Sequence, residues 1–226
     1  MVLGAVLGVL LGTWLSPGRK GSARRLQELS PLCRDLPLAG SLEWHKVAAM
    51  STRTSPSSAP LVLHYTLRQS ALGQVLVAAT PKGIAAVLLG DSKSALISDL
   101  QQRYPKAQLD TGGPLLHRWS DTVLEILEHP TLQHVVPLDV VGGTDFQRKV
   151  WKALRSIPPG QTRTYTELAK AAGQPQAVRA VASACAANPL AVLVPCHRVL
   201  RSDGGWGGYR WGLERKQQLL QQEGAI

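Results

Sequence analysis

Three apolar runs of strand length follow one another between Leu61 and Leu89, with little more than turn residues between them. Leu61-Val62-Leu63-His64-Tyr65-Thr66-Leu67-Arg68 partly alternates apolar and polar residues, the period of a half-buried strand. Gln74–Thr80 and Gly83–Leu89 follow, and short strands separated by turns build an antiparallel meander. Such a sheet needs cover. Ser92–Tyr104 has apolar residues at 96, 97, 100 and 104, a helical spacing that Pro105 stops. Leu115–Leu127 reads as a second helix closed by His129-Pro130, and Val135–Val141 as a further strand. Asp121, Glu125 and Glu128 fall on the surface of that second helix and read as solvated.

From Thr144 the pattern turns helical. Asp145–Ser156 opens with Thr144 as N-cap and Gln147 at the capping-box position, and Pro158-Pro159-Gly160 ends it. Tyr165–Ala172 and Gln176–Ala187 are short helices joined by a Gly-containing turn. That is a helix-turn-helix pattern, although any pair of antiparallel helices looks the same. Gly212–Gln222 is the last helix, with Leu213, Leu219 and Leu220 expected to face the core.

Charge follows the same division. The net charge is +10, and residues 143–226 carry twelve Lys/Arg against five Asp/Glu, or +7. Residues 61–142 carry six against seven, or −1. A basic excess gathered in one segment suits phosphate contacts, though a solvated basic surface has the same composition.

The first 60 residues fit neither part. Met1–Leu15 is apolar but shorter than the roughly 20 residues of a membrane span. No basic stretch precedes it, so no cleaved signal peptide is expected. Residues 51–60 have the composition of a flexible tail. Met50 reads as the true start, and residues 1–49 as mis-assigned upstream sequence.

Three cysteines, Cys33, Cys185 and Cys196, are too few for a disulfide framework, and the six histidines do not pair with them at zinc spacing. No metal is expected, and the setting reads as reducing and cytoplasmic. Cys196 stands out. It follows the apolar stretch Leu190–Val194, is stiffened by Pro195, and precedes His197 and Arg198. A thiol is activated as its thiolate, which a cationic neighbour favours or a base creates. Cys185 lies on a helix and reads as a packing residue. A Cys-His pair alone is weak evidence, because most buried cysteines are inert.

The context of the pair is more specific. Gly143-Thr144-Asp145-Phe146-Gln147, Val150-Trp151, Ile157-Pro158-Pro159-Gly160 and Thr164-Tyr165 come first. Ala177-Val178-Arg179-Ala180-Val181, Asn188-Pro189, Pro195-Cys196-His197-Arg198-Val199, Gly208-Tyr209-Arg210-Trp211-Gly212 and Lys216 to Glu223 follow. In order and spacing these resemble the O6-alkylguanine-DNA alkyltransferases (methylated-DNA–protein-cysteine methyltransferases), most of all those of the adaptive-response (Ada) type. More loosely, the likeness extends back to about Val62.

The resemblance implies an α+β fold. Residues 61–142 would form an N-terminal RNase H-like α/β module with a small antiparallel sheet. Residues 143–226 would form a mostly helical, winged helix-turn-helix-like catalytic domain. It implies a DNA repair enzyme that moves the alkyl group of O6-alkylguanine, and of O4-methylthymine, to its own cysteine once per molecule. The partner would be double-stranded DNA with the alkylated base flipped out, and the protein a monomer away from membranes.

Residue by residue, Cys196 matches the acceptor, His197 the group that takes its proton through a water, and Glu223 the carboxylate that orients His197. Tyr165 matches the hydrogen-bond donor to the departing guanine, and Arg179 the side chain that fills the gap in the duplex. Asn188 matches the asparagine that ties the turn before the active-site strand, with Pro195 and Arg198 as its structural neighbours. The main chain at Cys196 and Val199 would accept from the guanine amine, and that near Tyr209 and Arg210 would donate to O6. Trp211 stands where some members have glycine and would narrow the pocket against bulky adducts. Read without the resemblance, His197 could cap a carbonyl, Tyr165 could be core, Arg179 could merely touch phosphate and Glu223 could be solvated. Two other classes stay open: a non-catalytic sensor of alkylated bases, and a cysteine hydrolase that turns over.

Overall fold

Short turns at Ala71-Leu72 and Pro81-Lys82 leave the first three apolar runs no choice but to pair with their neighbours in sequence. They do so as β1 (Val62–Ser70), β2 (Gly73–Thr80) and β3 (Gly83–Gly90), each antiparallel to the next. The computed structural model describes residues 60–131 and 135–226. The tail and start-site expectations for residues 1–59 lie outside them.

The sheet is mixed rather than wholly antiparallel. A fourth strand, β4 (Gln108–Thr111), lies parallel to β1, giving the order β3-β2-β1-β4. Helix α1 (Lys93–Arg103), capped by the Ser92 side chain, packs on β2 and β3 and carries the chain to the opposite edge. Helix α2 (Pro114–Glu128) packs on β1 and β2. Residues 75–80 of β2 and 83–89 of β3 are all buried. Their near-continuous apolar composition suits a strand covered on both faces. Burying each of the larger side chains there stabilises by roughly 1.5–3 kcal/mol.

The expected strand at Val135–Val141 does not form. Leu138 alone makes a bridge, to Ile84 on the outer edge of β3. Ile84 donates to the Pro137 carbonyl and Asp139 donates to the Ile84 carbonyl. Pro137 has no N–H to offer a ladder.

The second half is helical. Helix α3 (Asp145–Leu154) has the full capping box between Thr144 and Gln147. A two-residue strand, β5 (Arg163–Thr164), precedes α4 (Tyr165–Ala171), which carries a second capping box between Thr164 and Glu167. Helix α5 (Val178–Ala186) packs on α3 and α4, and Trp151 of α3 donates its indole N–H to the Ala184 carbonyl at 2.8 Å. The strand β6 (Val199–Leu200) pairs parallel with β5, and helix α6 (Leu213–Gln222) closes the chain. Leu219 and Leu220 of α6 are buried, as expected. Leu213 is not: it is the first residue of the helix, overhangs the core and is 46% exposed. Among the described residues no helix is long and apolar enough to cross a membrane.

Candidate active site

The apolar stretch before Cys196 is a hydrogen-bonded turn, not a strand. The outer edge of β3 holds its start: Val87 donates to the Pro189 carbonyl, and Ala191 donates back to the Val87 carbonyl, both at 2.9 Å. Val192 adopts φ +59°, a costly conformation for a β-branched residue, inside a three-residue turn that Leu193 N–H closes onto the Ala191 carbonyl. Pro195, with φ −79° and ψ 65°, forms a second such turn, closed by Cys196 N–H on the Val194 carbonyl.

Asn188 holds this strained segment together. It is fully buried, and its Nδ2 donates to the Leu190 carbonyl at 3.2 Å and the Val194 carbonyl at 2.7 Å. The same amide approaches Cys196 Sγ at 3.3 Å, and its Oδ1 accepts from Leu190 N–H. Asn188→Ala should therefore leave buried backbone groups unpaired and lower stability by roughly 3 kcal/mol. Urea unfolding should show a lower midpoint with an unchanged slope.

Cys196, His197 and Arg198 form a single 3-10 turn, all three buried. Helix α6 brings Glu223 against it from 26 residues away, itself only 7% exposed. Glu223 Oε1 lies 2.8 Å from His197 Nε2. A carboxylate there needs a donor, so the proton of the neutral ring sits on Nε2 and Nδ1 keeps a free lone pair. Nδ1 is buried and has no partner among the described residues. Arg198 grips the same carboxylate twice, Nε to Oε2 at 2.9 Å and Nη2 to Oε1 at 2.8 Å, and its Nη1 donates to the Ile157 carbonyl.

These contacts set the protonation states. Burial pushes the Cys196 thiol up to about 11, against the opposing pull of the Asn188 hydrogen bond and the Lys216 charge. Burial also holds the His197 ring below its ordinary value, despite Glu223. The expected lowering of the thiol by a cationic His or Arg is thus absent, because the ring is neutral and Arg198 is committed to Glu223. For Glu223, burial raises the carboxyl, but the hydrogen bonds and charges of His197 and Arg198 outweigh it and bring it below 4.5. The resting site is therefore a neutral thiol near a neutral imidazole that has room for a proton.

Cys196 lines an open cavity of about 320 Å³ together with Tyr165, Ala182, Cys185, Ala186, Gly208, Tyr209 and Arg210. Cys185 packs, as expected, but it also forms part of this wall. Tyr165 is half-buried, and burial pushes its phenol up to about 12, so the hydroxyl is a proton donor at neutral pH. Its ring lies against Gly207, where an added Cβ would come within 3.0 Å of it at φ +65°. A larger residue at 207 would meet both the ring and the backbone penalty.

The other candidates divide around this cavity. Val199, buried, starts β6 directly after the 3-10 turn. Arg179 is exposed on α5, the helix that supplies Ala182, Cys185 and Ala186 to the wall. Trp211 is not among the lining residues. Its ring is buried edge-on against Tyr209, with centroids 5.2 Å apart. Among the described residues no cluster of three or more potential metal ligands occurs.

One participant was missed as a working group. Lys216 on α6 is fully buried, and its Nζ donates to the Val199 carbonyl at 2.6 Å and to the Trp206 carbonyl. It joins the segment after Cys196 to the glycine-rich loop beyond, and burial brings its amine down to about 8. The signal was available: 216 falls on the same helical stripe as 219, 220 and 223.

A sequence model of the DNA-binding domain of 6-O-methylguanine DNA methyltransferase matches residues 145–225. The chain is 49% identical over 163 residues to the bifunctional transcriptional activator/DNA repair enzyme Ada of Escherichia coli, covering 72% of this chain and 46% of that protein. It is 60% identical over 78 residues to a probable methylated-DNA–protein-cysteine methyltransferase of Acanthamoeba polyphaga mimivirus, covering 34% and 52%. The chain thus spans about half the length of the curated relatives it matches. Among solved structures, Mycobacterium tuberculosis OGT in complex with DNA is similar at a TM-score of 0.60 and 34% identity, over 72% of this chain and 93% of that one.

Proposed function

This chain belongs to the O6-methylguanine DNA methyltransferase family, and from that premise we propose that it repairs DNA by taking the alkyl group of O6-alkylguanine onto Cys196. O4-methylthymine is the second substrate. The observation that carries this reading is the union of a pocket-lining thiol with a buried His197–Glu223 pair whose Nδ1 is free. Sulfur attacks the alkyl carbon, the S–C bond forms as the C–O6 bond breaks, and guanine leaves. The thiol proton passes to His197 Nδ1 through a water; Glu223 stabilises the imidazolium, and Arg198, which opposes that charge, holds the Glu223 carboxylate in place. Tyr165 donates a hydrogen bond to the departing guanine anion, whose ring nitrogen takes up a proton from water as the His197 imidazolium gives its own back to water. Net, alkyl group and thiol hydrogen change places, with no cofactor involved.

A cavity of this size takes a base only after it has left the stack, so the bound DNA is a duplex with one nucleotide flipped out. Arg179, exposed on α5, supports the duplex from the vacated side. In this reading residues 61–142 are an RNase H-like module and residues 143–226 a winged helix-turn-helix-like domain. The +7 charge of the latter supports phosphate contact. The protein acts as a monomer in a reducing cytoplasm.

A pure damage sensor has no use for the thiol, which speaks against that alternative. A cysteine hydrolase is separated by stoichiometry. With lesion DNA in excess, product should stop at one alkyl group per protein molecule; continued turnover would refute the suicide reaction.

Trp211 acts on substrate range from behind Tyr209. Trp211→Gly should let Tyr209 recede and raise the benzyl-to-methyl rate ratio at least about tenfold, the scale of a pocket altered by a few carbon atoms. Competition between duplexes carrying the two adducts, normalised to folded protein, measures it.

A further inference from the structure

Arg210 lines the pocket, yet its guanidinium is turned toward the first half of the chain. Nη2 donates to Asp99 Oδ1 on α1 at 2.6 Å, a contact across 111 residues of sequence. Asp99 Oδ2 accepts from Arg103 Nε at 3.3 Å. Arg103 Nη1 reaches the carbonyl of Ala187 at 3.5 Å, the C-cap of α5, and its Nη2 is buried without a partner among the described residues. One turn of α1 thus holds both segments that form the wall: the end of α5 and the loop around Arg210.

That loop needs holding. Gly204, Gly205, Gly207, Gly208 and Gly212 fall within nine residues, and three of them sit at positive φ. Glycine-rich backbone has many alternatives to its observed path. Lys216 fixes it at Trp206, and the next side-chain tie is Arg210 to Asp99. The Asp99 and Arg210 side chains are 24% and 40% exposed, so solvent screens the pair in part only.

We propose that Asp99 is a specificity-determining positioning residue: by holding Arg210 it keeps the 207–211 segment over the pocket and limits the size of adduct admitted. It touches neither the base nor the sulfur. The inference rests on the alkyl-transfer reading, and the experiment keeps the two apart. The probes are duplex oligonucleotides carrying O6-methylguanine or O6-benzylguanine. The proteins are the unsubstituted chain, Asp99→Asn, Asp99→Ala, Arg210→Ala and the Asp99→Ala/Arg210→Ala pair. Asp99→Asn keeps an acceptor for Arg103 and guards against loss of α1.

Asp99→Ala should raise the benzyl-to-methyl rate ratio about fivefold, the scale of one partly buried ion pair. Asp99→Asn should do so by less, and the methyl rate should change much less than the benzyl rate. Arg210→Ala should give the same rise, with nothing further in the double variant. An unchanged ratio overturns the inference, as does a fall of both rates together with the melting temperature. It is also overturned if the Asp99→Ala effect persists undiminished in the Arg210→Ala background. If the unsubstituted protein transfers neither group, the transfer reading itself falls and the inference with it.

Discussion

Cys196→Ala should end alkyl transfer outright while leaving lesion binding and folding in place. The sulfur is the acceptor in the proposed reaction, so nothing remains to receive the alkyl group. The substitution removes one small side chain at a wall of an open cavity. The turn that carries it keeps its other ties, since Asn188 still donates to the Leu190 and Val194 carbonyls. Cys196→Ser should be just as inactive, because a hydroxyl is a far weaker nucleophile at its ordinary pKa. Transfer of label from a methylated duplex, read beside a mobility-shift titration, separates lost chemistry from lost binding. Residual transfer in Cys196→Ala would move the acceptor role elsewhere, with Cys185 on the same wall the first place to look.

Glu223→Gln should slow transfer by about 10² to 10³-fold, because it disturbs the His197 base, whose own contribution is of the order of 10² to 10⁴. It should also lower stability by roughly 3–5 kcal/mol, because Arg198 would keep a buried charge without its carboxylate. The two effects arise from different partners of one side chain. Toward His197, a glutamine can present its N–H₂ and hold the ring in the wrong tautomer. Toward Arg198, it offers no countercharge. Assays well below the unfolding midpoint read the first effect, and urea unfolding reads the second. The pH dependence has a definite sign. The Glu223 carboxyl lies lower in the folded protein than its ordinary 4.5. Its stabilisation is therefore complete above the unfolded value and is lost as pH falls through the folded one. Glu223→Gln should flatten that acid limb. A variant that transferred at the parental rate would remove His197 and Glu223 from the reaction.

Local signals in the sequence are legible where local physics decides. The meander at 61–89 followed from apolar runs between turns, and the Thr144–Gln147 capping box from one spacing. A second box, Thr164 with Glu167, had the same signature and marks the start of α4. Elsewhere a distant partner decides. Val135–Val141 is apolar enough for a strand, but Pro137 leaves Leu138 a single bridge. Gln108–Thr111 shows no alternation and becomes a strand only because β1 offers an edge.

The site divides in the same way. Cys196 and His197 are neighbours in the chain, whereas Glu223 was tied to them only through family resemblance. No local rule reports that Val192 would turn to positive φ, that Lys216 would be buried, or that Asp99 would meet Arg210. The Cys196 thiol departs from the sequence expectation for a related reason. Sequence puts His197 and Arg198 beside Cys196, but burial keeps the first neutral and Glu223 engages the second.

Intact-protein mass spectrometry after incubation with an O6-methylguanine duplex, followed by peptide mapping, decides whether Cys196 is the alkyl acceptor. The expected result is one added methyl group per molecule, carried on Cys196, and unmodified guanine left in the DNA. An unchanged protein mass with the lesion still bound, or a methyl group on any other residue, would contradict it.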